Sequence, residues 1–439
     1  MDNTDATGKR IKNSPFKRTG GSESILHFVW QFRLFALQDL KTTDGQPVEV
    51  IDVGKLNTDA GPDFFNAKLK IDDTLWAGNI EIHNLSSDWI RHRHETDKAY
   101  DNVILHVVNK ADTTVFRTNG EPIPQLELIV PEHIWQNYNE LLAAKKWIPC
   151  QDKIGTVAAV LMSSWKNALL VERLQRKASS IETLLAQSNN HWEEAFYISL
   201  ARSFGFGTNS QAFEQTAKSL PLSVLAKHKD NLFQLEALLL GQGGFLEETP
   251  RDEYQESLQR EYRFLRTKYR LSPIDSSQWK LLRLRPDNFP LIRLAQFASL
   301  THRSSKLFSK ILEAGNMKVL RELFVTDVSE YWKNHYLFGE ESPVSKKRLG
   351  KASVDVLIIN TVVPFLFTYA GQKGEDTEPA LNLLEELPAE KNAIIDKWIQ
   401  LGIPCENAFD SQALLQLKKN YCEEKKCLRC RVGHKVLSL

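Results

Sequence analysis

Apolar residues recur at helical spacing over 23–37 (ESILHFVWQFRLFAL), after a Gly-Gly-Ser entry, and predict a first helix. The period then changes to two. Short runs rich in β-branched and aromatic residues at 48–53, 67–71, 75–83 and 103–108, bounded by Asp, Gly and Asn turns, predict strands, with a further one at 125–130. A polar interval at 84–101 precedes the fourth strand. From Pro131 onward the spacing is almost wholly helical. Candidate helices fall at 156–186, 191–204, 209–218, 231–241, 252–270, 289–299, 303–313, 317–324, 352–370, 378–386, 388–401 and 408–421. Gly205, Gly207, Pro221, Gly241–Gly244, Pro286 and Pro290 punctuate them. The expected fold class is α+β: a small N-terminal mixed α/β domain, then a large all-α region.

Chain length changes this picture only by dividing it. A chain of 439 residues exceeds what one compact core accommodates. The expected partition is a disordered basic tail at 1–21, an α/β domain at 22–130, an all-α domain at 131–404 and a cysteine-bearing helical segment at 405–439. Net charge is +1, so no global field draws the chain to nucleic acid or membrane, and any attraction is local. The first twenty residues are polar and basic with no apolar stretch, and the expected location is cytoplasmic. The longest apolar run, 356–370, is broken by Asn360, Thr361 and Pro364 and is shorter than the ~20 residues of a membrane span. It is read as a buried helix, with no membrane partner.

The densest chemistry lies between Asp63 and His106. Side chains alternate along a strand, so Ile80 and Ile82 face one way, toward a core, and Asn79, Glu81 and His83 the other. The Asp72-Asp73 turn folds Asp63 back toward this strand. A two-residue loop sets Asp63 opposite Ile82, on the wrong face, whereas a three-residue loop sets it opposite Glu81 or His83. Two converging carboxylates form an oxygen-rich site for Mg²⁺ or Mn²⁺. Such an ion polarises a phosphoryl oxygen and lowers the pKa of bound water. Asp63, Glu81 and His83 are the candidate catalytic residues, the two carboxylates as metal ligands and the imidazole orienting water or acting as base. His83, His94 or His106 with Asp88 offers a second, zinc-hydrolase reading.

Gly61-Pro62-Asp63 followed by Glu81-Ile82-His83 resembles the PD-(D/E)XK nuclease core, over about a quarter of the chain. That resemblance implies a restriction-endonuclease-like fold and cleavage of DNA or RNA. His83 stands where that core carries lysine. Longer strings, including Phe204-Gly205-Phe206-Gly207-Thr208-Asn209, Arg283-Leu284-Arg285-Pro286-Asp287-Asn288-Phe289-Pro290 and Tyr331-Trp332, resemble an uncharacterised bacterial family known only as a domain of unknown function. This second resemblance covers nearly all of 22–434 and implies no activity.

Four of the five cysteines, Cys405, Cys422, Cys427 and Cys430, fall near the end of the chain. An odd count without export signals argues against disulfides and for a zinc or iron–sulfur site. Cys427-x-x-Cys430 is the ligand knuckle, with Cys422 beside it and Cys405, His434 or Cys150 as the fourth ligand. Arg263, Arg266 and Arg270 share one predicted helical face and are the candidate nucleic-acid contacts. The expected function is divalent-metal hydrolysis of phosphodiesters. A non-catalytic nucleic-acid-binding or scaffold protein on a decayed core is the alternative.

Overall fold

A computed structural model describes residues 22–304 and 306–439, so the predicted tail at 1–21 lies outside the described residues. The chain forms two compact units, one comprising the residues up to Leu161 with Asn420–Leu439, the other Met162–Lys419. These divisions differ from the expected ones at 130 and 404. In the first unit the C-terminal segment returns to the N-terminal elements, a long-range packing that local periodicity does not encode.

The first unit is a mixed sheet with helices. Helix α1 (Ser22–Gln31) is followed by β1 (Val48–Asp52), β2 (Lys55–Leu56), β3 (Phe64–Ile71), β4 (Thr74–Leu85), short α2 (Asp88–Arg91), β5 (Val103–Lys110), β6 (Gln125–Glu127) and α3 (Glu132–Ala143). The sheet order is β1-β3-β4-β5-β6, with β2 also on β3. Pairs on β3 are antiparallel, while β4–β5 and β5–β6 are parallel. Helix α1 packs against β4 and β5, and α2 against β4. Helix Arg431–Leu437 packs on α3, and His434 lies against Phe28 of α1 and Phe32 just after it. Every predicted strand has its counterpart, whereas α3 was not among the predicted helices.

One expectation about β4 fails. Ile80, Glu81, Ile82 and His83 are all buried, so Glu81 and His83 do not project from an open face. Histidines and Tyr100 build the covering over this part of the strand.

The second unit is mostly helical, with α4 (Ala159–Gln187), α5 (Trp192–Phe204), α6 (Ser210–Ser219), α7 (Leu222–Lys227), α8 (Leu232–Gln242), α9 (Glu253–Tyr269) and α10 (Pro290–Arg303) leading it, but it is not all-α as expected, because His335–Leu337 and Glu340–Glu341 pair as a small antiparallel sheet. Residues Leu235 to Gln242 of α8 and Pro290 to Leu300 of α10 are buried without interruption, the pattern of central helices. Gly241 lets Tyr262 of α9 close on α8, since a Cβ there would stand 2.2 Å from the ring. Helical turns run through Lys351–Lys373, with a π-turn at Ile358–Val362 just before Pro364. The wider turn accommodates a residue that has no N–H to donate and crowds the preceding carbonyls. This run is long and apolar enough to cross a membrane, and 61% of its apolar window is buried inside the protein.

Candidate metal centre

The hairpin brings Asp63 to Glu81 by a route the sequence did not suggest. Ile71 pairs with Thr74, so the Asp72-Asp73 loop has two residues, the length that sets Asp63 opposite Ile82. A bulge between Phe64 and Ala67 corrects the register. Ala67 pairs with Gly78, but Phe64 pairs with Ile80. The extra residue is absorbed at Asn66, which adopts φ +58°, a left-handed conformation that Asn tolerates better than most residues. Asp63 therefore meets Glu81.

Each carboxylate accepts a backbone N–H from the opposite arm of the hairpin. The Asp63 N–H donates to Glu81 Oε2 at 3.1 Å, and the Ile82 N–H donates to Asp63 Oδ2 at 2.9 Å. His27 of α1 reaches the same Asp63 oxygen through Nε2 at 3.1 Å. On the other side, Glu81 Oε1 lies 3.4 Å from His83 Nε2 and 3.4 Å from His94 Nε2. His83 Nε2 is also 3.1 Å from His92 Nδ1, and its Nδ1 is 2.9 Å from His106 Nε2. Tyr100 stacks on His94 with ring centroids 3.7 Å apart. His92 and His94 share this pocket because Arg93, between them, takes φ +64° and turns the chain.

Burial dominates the electrostatics. It raises the Glu81 carboxyl well above the usual carboxylate range, and the Asp63 charge adds to the effect. Burial pushes His83 down to about 2 and His106 to about 3, helped in each case by neighbouring imidazoles. At His27 burial lowers the pKa, but the bond to Asp63 and the charges of Asp63, Glu23 and Glu81 together raise it. His83 is thus a neutral imidazole near pH 7. It is poorly suited to the role of base expected for it, whereas the pKa of His27 is raised beside Asp63.

Asp88 does not join the histidines. It accepts the Leu85 N–H at 3.2 Å and pairs with Arg91 at 2.9 Å. His106 lies in the interior as a partner of His83. Sequence reasoning missed Glu23 and His27. Their signal was a titratable pair one turn apart in an otherwise apolar helix, the spacing that puts both on one face.

Residues 23–393 match the model of a protein family of unknown function, DUF2851. The chain belongs to that family. No curated protein and no solved structure matches it. The DUF2851 match takes in Glu23, His27, Asp63, Glu81, His83, His92, His94 and His106, so the whole pocket lies within the family region.

The remaining candidates are dispersed. Cys150, Cys427 and Cys430 are buried in the first unit, with burial pushing Cys150 up to about 12 and the Cys430 and Cys427 thiols adding to it. Cys422 is half-buried in the same unit, whereas Cys405 belongs to the helical unit, where Asp410, Lys166 and Glu390 are its charged neighbours. His434 donates Nε2–H to Leu428 O at 2.6 Å. Arg266 is paired with Glu247 at 3.1 Å, and α9 ends at Tyr269 with Arg270 at φ +53°. The predicted basic face thus stops short of Arg270, and Arg263 and Arg270 are exposed.

Proposed function

We propose that this protein hydrolyses phosphodiester bonds of DNA or RNA with a divalent cation, on a restriction-endonuclease-like core. The observation that carries this reading is the pair of bonds across the hairpin in which Glu81 accepts the Asp63 N–H and Asp63 accepts the Ile82 N–H, which holds two carboxylates close together. A helix followed by an antiparallel hairpin and a parallel strand agrees with the PD-(D/E)XK resemblance. Asp63 and Glu81 would hold Mg²⁺ or Mn²⁺, hard cations that prefer oxygen ligands. When bound, that ion supplies charge to the phosphoryl oxygen and acidity to a water. His27 Nε2, 3.1 Å from Asp63 Oδ2, orients that carboxylate. Exposed Arg263 and Arg270 are the candidate contacts to phosphates. A structural metal, zinc or iron–sulfur, belongs to the same proposal. Cys427, Cys430 and Cys422 would ligate it, with Cys150 in place of Cys405 on the evidence of shared burial.

One feature favours the alternative of a non-catalytic, nucleic-acid-binding or scaffold protein. His83 occupies the lysine position as a buried neutral group and cannot supply the positive charge that lysine brings. Cleavage of labelled single- and double-stranded DNA and RNA in Mg²⁺ or Mn²⁺, compared between wild type and Asp63→Asn, separates the two. Loss of cleavage in a variant that melts normally supports hydrolysis. Wild type that neither cleaves any of these substrates nor binds Mn²⁺ by calorimetry returns the protein to the binding reading. In that case, affinity for nucleic acid should still fall with salt, and reversing Arg263 and Arg270 should reduce the slope by about 1 per residue.

A further inference from the structure

The geometry points to a second cation site beside the first: His83, His92 and His94, with Oε1 of Glu81, bind a zinc-class transition metal, and Glu81 bridges the two sites. One ligand nitrogen of each histidine lies within 4.8 Å of those of the other two. Zinc takes imidazole nitrogens at about 2.0–2.1 Å in a tetrahedron, which spaces ligand atoms about 3.4 Å apart. Glu81 Oε1 already stands 3.4 Å from both His83 Nε2 and His94 Nε2, and His83 Nε2 stands 3.1 Å from His92 Nδ1. The four donors therefore need only small adjustments to close on one ion.

The surroundings fit the same assignment. A metal-bound imidazole keeps its orientation by donating its other ring N–H to a fixed acceptor. His106 Nε2 offers that acceptor to His83 Nδ1 at 2.9 Å, in a tautomer that turns the His83 Nε2 lone pair toward Glu81 and His92. Tyr100 holds the His94 ring flat from the opposite side. Arg93 holds the left-handed conformation, a strained one for a residue with a side chain, and it brings His92 and His94 to one place. His92 is exposed and provides the way in. Three imidazoles and one carboxylate suit zinc better than magnesium.

Glu81 connects this site to the proposed hydrolytic one. Its Oε2 faces Asp63 and its Oε1 faces the histidines. Paired-metal sites that clamp a phosphodiester hold their ions about 3.5–4 Å apart, a separation that one bridging carboxylate spans. The bridging role rests on the hydrolytic reading, but the histidine site does not.

The test uses the purified full chain stripped of metal and titrated with Co²⁺. Cobalt bound by the histidines gives ligand-field absorption without thiolate-to-cobalt charge transfer, which distinguishes it from cobalt at the cysteines. We expect one equivalent of this kind, weakened at least tenfold in His92→Ala and abolished in His92→Ala/His94→Ala, with melting of the apo forms unchanged for His92→Ala. Asp63→Asn should leave this cobalt affinity within about threefold while removing Mg²⁺-supported cleavage. Wild type lacking the sulfur-free cobalt band, or a double variant that keeps it, overturns the histidine site. Cobalt binding in a protein that cleaves nothing upholds the site and rejects the hydrolytic reading; cleavage without cobalt binding does the reverse.

Discussion

Two glutamates are buried among the described residues, and they are buried for different reasons. Glu236, on α8 of the helical unit, is fully buried. Its Oε2 accepts from Tyr254 Oη–H, from Ser329 Oγ–H at 3.2 Å and from Trp332 Nε1–H at 3.3 Å. Burial pushes it up to about 7 against these donors. Glu81, in the α/β unit, is buried to a similar degree but faces Asp63 and two imidazoles instead of hydroxyl and indole donors. At Glu236 three fixed N–H and O–H donors converge on Oε2, while Oε1 accepts none. Glu81 has one backbone donor, the Asp63 N–H, and otherwise lies beside a second carboxylate and two imidazole nitrogens, groups of the kind that also serve as metal ligands. Burial and a raised pKa alone do not separate these cases. The partners do.

The contrast is best broken by removing each carboxylate. Glu81→Gln should lower cleavage about 10²–10³-fold, the cost of losing a well-placed electrostatic stabiliser, with unfolding free energy changed by less than about 1 kcal/mol. Glu236→Ala should leave cleavage intact and cost about 3 kcal/mol of stability, because three donors lose their acceptor and each unsatisfied buried group costs about 1–3 kcal/mol. Cleavage rates and urea denaturation of both variants test this. A Glu81→Gln protein that unfolds, or a Glu236→Ala protein as stable as wild type, erases the distinction.

The pH dependence of Glu236 sharpens it. Its pKa rises from 4.5 to about 7 on folding, so the folded state holds the proton more tightly than the unfolded one. The associated stability is fully present below pH 4.5 and is lost as pH rises through about 7, on the order of 3 kcal/mol in all. Urea midpoints between pH 4 and 8 should therefore fall more steeply for wild type than for Glu236→Gln. Identical slopes would show that Glu236 titrates normally.

The smallest effect concerns the bulge. Asn66→Val forces a β-branched residue into φ +58° and should cost about 1–2 kcal/mol, whereas Asn66→Gly should be close to neutral. Deleting Asn66 removes the extra residue but leaves Phe64 opposite Ile80 and Asp63 opposite Glu81, so Mn²⁺ binding by calorimetry should survive it. If that deletion abolishes Mn²⁺ binding in a protein that still folds, register alone is not what assembles the carboxylates.

Much of the architecture was legible because it rests on local patterns. The period of two at 48–53, 67–71, 75–83 and 103–108 yields β1, β3, β4 and β5, and apolar spacing of 3.6 yields most helices. Asp63, Glu81 and His83 were legible as chemistry, since carboxylates beside an imidazole stand out against Ile80 and Ile82. Helix α3, at Glu132–Ala143, was not read, its apolar positions being sparse among polar ones. Glu23 and His27 were hidden in a helix whose apolar face absorbed attention.

By itself, then, the sequence determined an α/β region followed by a helical one, and the residue types able to hold a cation. Tertiary structure alone decided which of them meet. The bulge at Asn66 shifts parity by one residue, a change that no periodicity records because it depends on how β3 lies against β4. The parallel pairing of β5 brings His106 behind His83, and the turn at Arg93 folds His92 and His94 over Glu81. Residues 9 to 23 positions apart in the chain thus come within hydrogen-bonding distance. Local propensity fixes each segment's conformation, but only packing between segments sets distances across the sheet, and those distances decide whether lone pairs converge.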